Sequence, residues 1–274
     1  MDDALRELGD LIRSAEPAID LARGVLLIAR IEHPTLDASR ELARLDALAA
    51  RSGASALGEP RARLDRLRRF LFEEERFRGN ADDYYDPRNS CLNDVLDRKL
   101  GIPIALSVLT MEIGWRVGQS IEGVGLPGHF VVRAEVNGES ILLDPFNGGA
   151  VMSVESAAEV AARAVGRPVQ LVDAHFAAVT KVQILTRMLM NLKALYVRAE
   201  AWEKALAVID RLLIVDDGTR RHRRDRGAVL VKLGRLHAAA EEWEGYLSRY
   251  PNAEDAVELR QQLRGVRQRL ASLN

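Results

Sequence analysis

The dipeptide Asn137-Gly138 constrains the fold most strongly, because it separates two short runs of residues that alternate as β-strands do. The runs cover residues 128–136 and 139–146. A type I′ turn needs a positive φ at both central residues, which Asn-Gly tolerates, so we predict a two-residue β-hairpin. The turn then fixes the register of the two strands.

One histidine and one aspartate lie on this predicted hairpin. The register sets Val131 opposite Asp144, so His129 and Asp144 share a face as diagonal neighbours. Diagonal neighbours are roughly 7–8 Å apart at Cα, which a histidine and an aspartate can bridge with a hydrogen bond. Singly, each residue is typical of a strand end or turn, but the shared face favours a bonded pair. In Cys-His-Asp acyl-transfer sites, such an aspartate orients the imidazole.

The nucleophile that such a site needs is absent from its expected position. A helix N-terminus lowers a thiol pKa, and the helix predicted from Pro103 to about Gly118 begins with Pro-Ile-Ala-Leu, none of which can attack a carbonyl. Ser107 is the nearest hydroxyl. Cys91, the one cysteine, lies upstream in a short helix that we expect Ser90 to cap. A lone cysteine among apolar residues is typically a small buried hydrophobe.

Five segments follow one another along the chain, namely 84–90 (YYDPRNS), 92–98 (LNDVLDR), 101–107 (GIPIALS), 122–130 (EGVGLPGHF) and 144–149 (DPFNGG). Together and in this order they resemble the SirB-type family, a bacterial branch of the transglutaminase-like superfamily. The resemblance implies a transglutaminase-like core followed by tetratricopeptide repeats, with His129 and Asp144 at the family's His and Asp positions. Active transglutaminases carry a Gly-x-Cys helix start, which falls here near Gly101-Ile102-Pro103-Ile104, without a cysteine.

The C-terminal hundred residues contain an internal repeat with a period of 34 residues. This offset superposes Ala205 on Ala239 and Leu212 on Tyr246, and 34 is the tetratricopeptide period. Two repeats are fewer than the three usually needed alone, so they either buttress the core or present a groove for a peptide. The basic run 220–226 reads as a solvated turn between repeats, with an acidic partner or RNA as the alternative.

These patterns predict an α+β protein with a helical N-terminal layer, a transglutaminase-like (papain-like) core with a small antiparallel sheet, and C-terminal tetratricopeptide helices. We expect the boundaries to fall at residues 1–78, 79–175 and 176–274. The N-terminal segment holds three amphipathic helical patterns, broken near Glu16-Pro17 and between His33 and Asp37. Helices are also expected from Pro60 to about Arg76, over 153–166 and over 253–272.

A polar run precedes the core helix and allows two interpretations. Asp86, Arg88, Asn89 and Asn93 either cap the local turns or line the same pocket as His129. In the second case Arg88, Asn89 and Asn93 are ligand-binding residues.

Composition excludes several classes of function. The net charge is −1 with 29% charged residues, so no overall field draws the chain to nucleic acid or a membrane surface. One cysteine and an acidic N-terminus without a signal-peptide pattern favour the cytoplasm. The five histidines lack metal-ligand spacing and have no cysteine nearby in sequence, so we expect neither a metal nor another cofactor.

The sequence therefore predicts a non-catalytic, transglutaminase-like protein that binds a protein or peptide through its repeats or through the cleft at His129 and Asp144. The alternative is an amide hydrolase or acyltransferase. It would use Cys91 as its nucleophile, or the His129–Asp144 pair to activate water or an amine.

Overall fold

The computed structural model describes residues 3–272. They form two compact units, one of residues 14–188 and one that joins residues 3–13 to residues 189–272. Helix α1 (Asp3–Ile12) belongs to the second unit, where it packs on the helix at 202–215 through buried Ala4 and Leu8. The apolar face of α1 is therefore buried in the repeat unit.

The unit of residues 14–188 is mostly helical and contains two small sheets. Strands β1 (Arg78–Gly79) and β2 (Leu100–Gly101) pair in parallel. Strands β3 (Ile121–Val124), β4 (Val131–Val136), β5 (Glu139–Asp144) and β6 (Ala150–Met152) form an antiparallel sheet in that order. The helices are α2 (Leu21–Ala29), α3 (Ala38–Ser52), α4 (Pro60–Arg69), α5 (Leu92–Arg98), α6 (Pro103–Arg116), α7 (Val154–Val165) and the start of α8 (Lys181–Arg198).

Helix starts follow the local signals in the sequence. The side chain of Asp37 accepts hydrogen bonds from the amides of Ser39 and Arg40 and so caps α3. The prediction that Ser90 caps α5 is wrong. Cys91 takes the N-cap position, because Ser90 ends a 3₁₀ turn at Pro87–Ser90. After α4, the chain continues as a π-helical turn at Phe70–Glu74 instead of an α-helix to Arg76.

Helix α6 lies at the centre of this unit. It packs against α2 and α3 and against β3 and β4. Every residue from Pro103 to Gly114 is buried, as expected for a helix enclosed on all sides. The start of α6 therefore faces protein and not solvent.

The hairpin at Asn137-Gly138 has the predicted register. Asn137 and Gly138 have φ of 53° and 86°, and Val132 pairs with Leu143 across the two strands. The predicted strand limits are wrong, because β4 begins at residue 131, and not 128, while β5 ends at residue 144. A turn over Pro127-Gly128, with φ of 67° at the glycine, keeps His129 out of the strand.

The second unit carries the repeat pattern. Helices α9 (Trp202–Val215), α10 (Arg221–Lys232), α11 (Leu236–Arg249) and α12 (Ala256–Ala271) pack in chain order. Ala205 and Ala239, one period apart, are completely buried. Within the described range 3–272, no helix is both long and apolar enough to cross a membrane.

The basic run at 220–226 is not the solvated turn that we predicted. Most of it forms the first turns of α10, where acidic side chains of neighbouring helices pair with it. Arg226 bonds Asp210 and Glu242 at 2.7 and 2.8 Å, and Arg224 bonds Asp255 at 3.0 Å. These arginines therefore neutralise carboxylates within the unit.

Candidate functional site

His129 and Asp144 form a hydrogen-bonded pair inside the larger unit. The distance from His129 Nε2 to Asp144 Oδ2 is 2.9 Å, and the residues are 6% and 1% exposed. The pair forms because the hairpin register places Asp144 beside the start of β4. No described residue hydrogen-bonds Nδ1 of His129, so the second ring nitrogen is available to a ligand or a reacting group.

The turn after β5 holds Asp144 as a carboxylate acceptor. Its Oδ1 accepts from the amides of Phe146 and Asn147 at 3.0 and 3.3 Å, and its Oδ2 accepts from Asn147 Nδ2 at 2.7 Å. Burial raises the pKa of Asp144, but the hydrogen bonds and charge of His129 and the bonds from Asn147 outweigh it and leave this pKa below its ordinary value. Asp144 is therefore a fixed anion that orients the imidazole.

Arg187 fixes the loop that carries His129. Its Nη2 donates to the carbonyl oxygens of His129 and Leu126 at 2.7 and 3.2 Å, and its guanidinium lies 5.2 Å from the centre of the Phe130 ring. Burial lowers the pKa of Arg187. No pattern in the sequence indicates this role, because Arg187 lies on α8 and resembles an ordinary polar residue of a repeat helix.

A series of aromatic rings extends from His129 towards the surface. The Phe146 ring lies edge-on to the imidazole with centroids 6.0 Å apart, and the Tyr84 ring lies 6.1 Å beyond it. Tyr84 and Tyr85 are 39% and 63% exposed. A Cβ on Gly79 would lie 2.5 Å from the Phe146 ring, so only glycine lets this ring pack where it does.

The start of α6 supplies no nucleophile to the pair. Its first residues, 103–106, are apolar and buried. The hydroxyl of Ser107 is completely buried and donates to the carbonyl of Phe130 at 3.4 Å. This contact places the helix beside the His129 loop and engages the serine hydroxyl with a main-chain carbonyl.

Cys91 lies in a different cluster. Among the residues that the structure describes, one group of three side chains could hold a metal ion, and it joins Cys91 to His33 and Asp94. The His129–Asp144 pair is not part of this group. No histidine has a cysteine near it in sequence, but the fold brings His33 beside Cys91. His33 and Asp94 are 61 positions apart, so their proximity arises from packing of α2 against α5 and not from sequence spacing.

The polar run mostly serves its own loop. Arg88 Nε bonds both carboxylate oxygens of Asp86 at 3.0 Å. Asn89 is completely buried, donating from Nδ2 to the carbonyl of Asp83 at 2.7 Å and accepting at Oδ1 from Asn80 at 3.0 Å. The exception is Asn93, whose buried Oδ1 has no hydrogen-bond partner.

The repeat unit contains an apolar groove of about 390 Å³. Lys193 and Asp225 at its edge are ion-paired at 2.8 Å, and the ammonium of Lys232 lies 5.5 Å from the centre of the Trp202 ring. Apolar side chains form most of the lining, namely Ala194, Val197, Trp202, Ile209, Ala228 and Val229.

Comparison with known families agrees with the description of the core and with that of the repeat helices. Residues 39–190 match the model of the transglutaminase-like superfamily, and residues 192–264 match a tetratricopeptide repeat. The first match covers more than half of the chain. Tetratricopeptide repeats generally present surfaces that bind other proteins, so the combination is typical of a protein-interaction module.

Several relatives extend over most of the chain. A UPF0162 protein of Xylella fastidiosa is 34% identical over 246 residues, which cover 88% of this chain and 87% of the relative. A UPF0162 protein of Vibrio cholerae is 28% identical over 256 residues, which cover 91% of this chain and 93% of that protein. The human F-box only protein 21 is 37% identical over 84 residues, which are 31% of this chain and 13% of that protein. No solved structure matches the chain. The chain therefore belongs to the transglutaminase-like superfamily, among the UPF0162 proteins, and joins that domain to tetratricopeptide repeats.

Proposed function

We propose that this protein is a non-catalytic member of the superfamily, of the SirB type, that binds a peptide segment of a protein partner. The start of α6 supports the absence of catalysis, because residues 103–106 place no nucleophile beside His129 and Asp144. The chain has one cysteine and so cannot form an intramolecular disulfide, which supports a location in the reducing cytoplasm.

The groove of the repeat unit is the proposed peptide site. It is concave and apolar, and two helical repeats supply its walls. Val197 in its lining is 40% exposed, and a partner's apolar side chain would cover it. Burial of such a side chain contributes about 25 cal/mol for each Å² of apolar surface removed from water.

Charge at the groove edge defines the partner further. Lys193 is neutralised by Asp225, whereas no described residue provides a carboxylate for Lys232. The proposed ligand is therefore a segment with an apolar anchor followed by an acidic side chain that pairs with Lys232. In the larger unit, Asn93 is the remaining candidate for a polar ligand contact, because its Oδ1 is unsatisfied.

Photo-crosslinking from Val197, followed by binding measurements on peptides of the captured partner, tests this proposal. Val197→Asp and Lys232→Glu should each weaken peptide binding by about tenfold or more in fluorescence anisotropy, since they place charge on the anchor site or reverse the edge charge. Val257→Asp is the matched control, because Val257 is 76% exposed and lies on α12, outside the groove.

Equal crosslinking from positions 197 and 257 would contradict the groove as the binding surface. Unchanged affinity in both groove variants would contradict it as well. Circular dichroism spectra of the variants should match that of the parent protein, because both substituted side chains lie at the surface of their helices.

Amide hydrolysis or acyl transfer is the second candidate, and one observation favours it. The His129–Asp144 pair is intact, and Nδ1 of His129 has no hydrogen-bond partner among residues 3–272. The pair would then activate water or an amine, since Cys91 is grouped with His33 and Asp94 instead.

A further inference from the structure

Three side chains with metal-binding atoms converge at a place that the His129–Asp144 pair does not use. His33 lies in the turn after α2, while Cys91 and Asp94 lie at the start of α5. His33 Nε2 is 2.7 Å from Asp94 Oδ2. One ligand atom from each of the three residues lies within 4.8 Å of the other two. An imidazole, a thiol and a carboxylate therefore surround one point.

Main-chain hydrogen bonds hold each of these residues in place. The amide of His33 donates to Ala29 O at 3.0 Å, and its carbonyl accepts from Leu36 N at 3.0 Å. The amide of Cys91 donates to Arg88 O at 3.3 Å, and its carbonyl accepts from Val95 N at 2.9 Å. Asp94 follows Cys91 by three residues, a spacing that brings both side chains to one side of a helical turn.

We propose that His33, Cys91 and Asp94 form a binding site for a divalent transition-metal ion of the zinc type. An imidazole nitrogen, a thiolate sulfur and a carboxylate oxygen are the three ligand types that zinc takes in proteins. Three protein ligands leave a fourth tetrahedral position for water or another small ligand. The set also differs from the all-oxygen ligands that magnesium and calcium prefer.

The exposure of the three side chains suits an ion better than a larger substrate. Cys91 is 1% exposed and the carboxylate side chain of Asp94 is 12% exposed, whereas 36% of the His33 side chain is accessible. An ion can enter past the imidazole and reach the sulfur. A peptide carbonyl cannot reach a sulfur enclosed to this degree, so the cluster fits coordination better than nucleophilic attack.

Coordination exchanges protons for metal bonds. Three bonds form to the ion, and the thiol of Cys91 releases its proton to the solvent as it becomes a thiolate. The proton shared by His33 Nε2 and Asp94 Oδ2 leaves to the solvent, or Nδ1 of the same ring carries it. The direct hydrogen bond then gives way to one bond from each atom to the metal. Metal affinity should consequently fall as the pH is lowered, because protons compete for the thiolate and the imidazole.

Titration of the full-length, reduced, metal-free protein with Co²⁺ tests the site. Cys91 is the one cysteine of the chain, so a thiolate-to-cobalt charge-transfer band in the near ultraviolet reports on this residue alone. We expect the band to saturate at one Co²⁺ per chain and to disappear when Zn²⁺ is added. Cys91→Ser should abolish it.

Variants of the other two ligands distinguish a three-ligand metal site from metal binding by the Cys91 thiol alone. His33→Gln and Asp94→Asn should each weaken Co²⁺ binding by roughly 10–100-fold or more, since even loss of an outer-shell partner costs that much. His237→Gln is the matched control, because it removes an exposed histidine of the repeat unit and should leave the titration unchanged.

Two results would overturn the proposal. The first is no charge-transfer band in the unaltered protein at saturating Co²⁺, which needs no variant and does not depend on how variants fold. The second is a band whose titration is the same in His33→Gln and Asp94→Asn, with far-ultraviolet circular dichroism unchanged. Zn²⁺ should also raise the thermal midpoint of the unaltered protein more than that of any ligand variant.

Discussion

Replacing Asp144 with alanine should lower the free energy of unfolding by about 3–5 kcal/mol, the cost of removing one partner of a buried pair. The variant loses the bond to His129 and leaves the amide of Phe146 and the side-chain Nδ2 of Asn147 without their acceptor. Chemical denaturation at neutral pH measures the effect. A loss below about 1 kcal/mol would show that the pair is not a stabilising element.

The matched control for this substitution lies on the same strand. Glu139→Ala at the exposed start of β5 should change stability by less than about 0.5 kcal/mol. The pH dependence gives a second check, because the folded-state pKa of Asp144 is below its ordinary value. Its ionisation therefore stabilises the fold above about pH 4, and this contribution is lost as the pH falls through the lowered pKa. The alanine variant should lack this acid-dependent loss.

Gly227→Ala should destabilise the repeat unit by about 3 kcal/mol. A Cβ at this position would lie 2.1 Å from Trp243 Nε1, so the indole must move. Movement forfeits tight packing and the 2.9 Å hydrogen bond from Trp243 Nε1 to the carbonyl of Arg224. Thermal unfolding followed by tryptophan fluorescence measures the change.

Gly245→Ala is the control for overpacking in the same helical pair. Gly245 lies within α11, and a Cβ there would have no neighbour within 4 Å. This substitution should be neutral or stabilise the unit by up to about 1 kcal/mol, because alanine has the higher helix propensity. Equal destabilisation by both alanines would contradict the close contact between α10 and Trp243.

Local signals in the sequence were sufficient for much of the fold. Asn137-Gly138 predicted the hairpin and its register because a two-residue turn determines which residues face each other. Pro103 marked the start of α6, and the period of 34 residues predicted the repeats that the family comparison confirms. Each of these features depends on residues close together in sequence or on a regular spacing.

Features that depend on packing between distant segments escaped prediction. His33 reaches Asp94 across 61 positions only because α2 packs against α5. Arg187 bonds the carbonyl of His129 from a helix that begins more than fifty residues later. No spacing in the sequence records such contacts, because they follow from how helices and loops meet in the folded unit.

Competition between local preferences explains the remaining differences. Ser90 is a good cap by type, but the 3₁₀ turn that begins at Pro87 ends with it and moves the N-cap to Cys91. The arginines at 220–226 suggested a solvated turn, yet carboxylates such as Asp210 and Glu242 neutralise them along α10. In both cases a neighbouring structural element, and not the residue type alone, determined the local structure.

We propose that the His129–Asp144 pair persists without a nucleophile. Intact-mass spectrometry of the full-length protein, treated with a thiol-directed peptide acylating probe, tests it most directly. We expect no adduct whose rate of formation depends on His129, so the unaltered protein and His129→Ala should label equally slowly. An adduct on Cys91 or Ser107 that forms rapidly in the unaltered protein and is lost in His129→Ala would contradict the absence of a nucleophile.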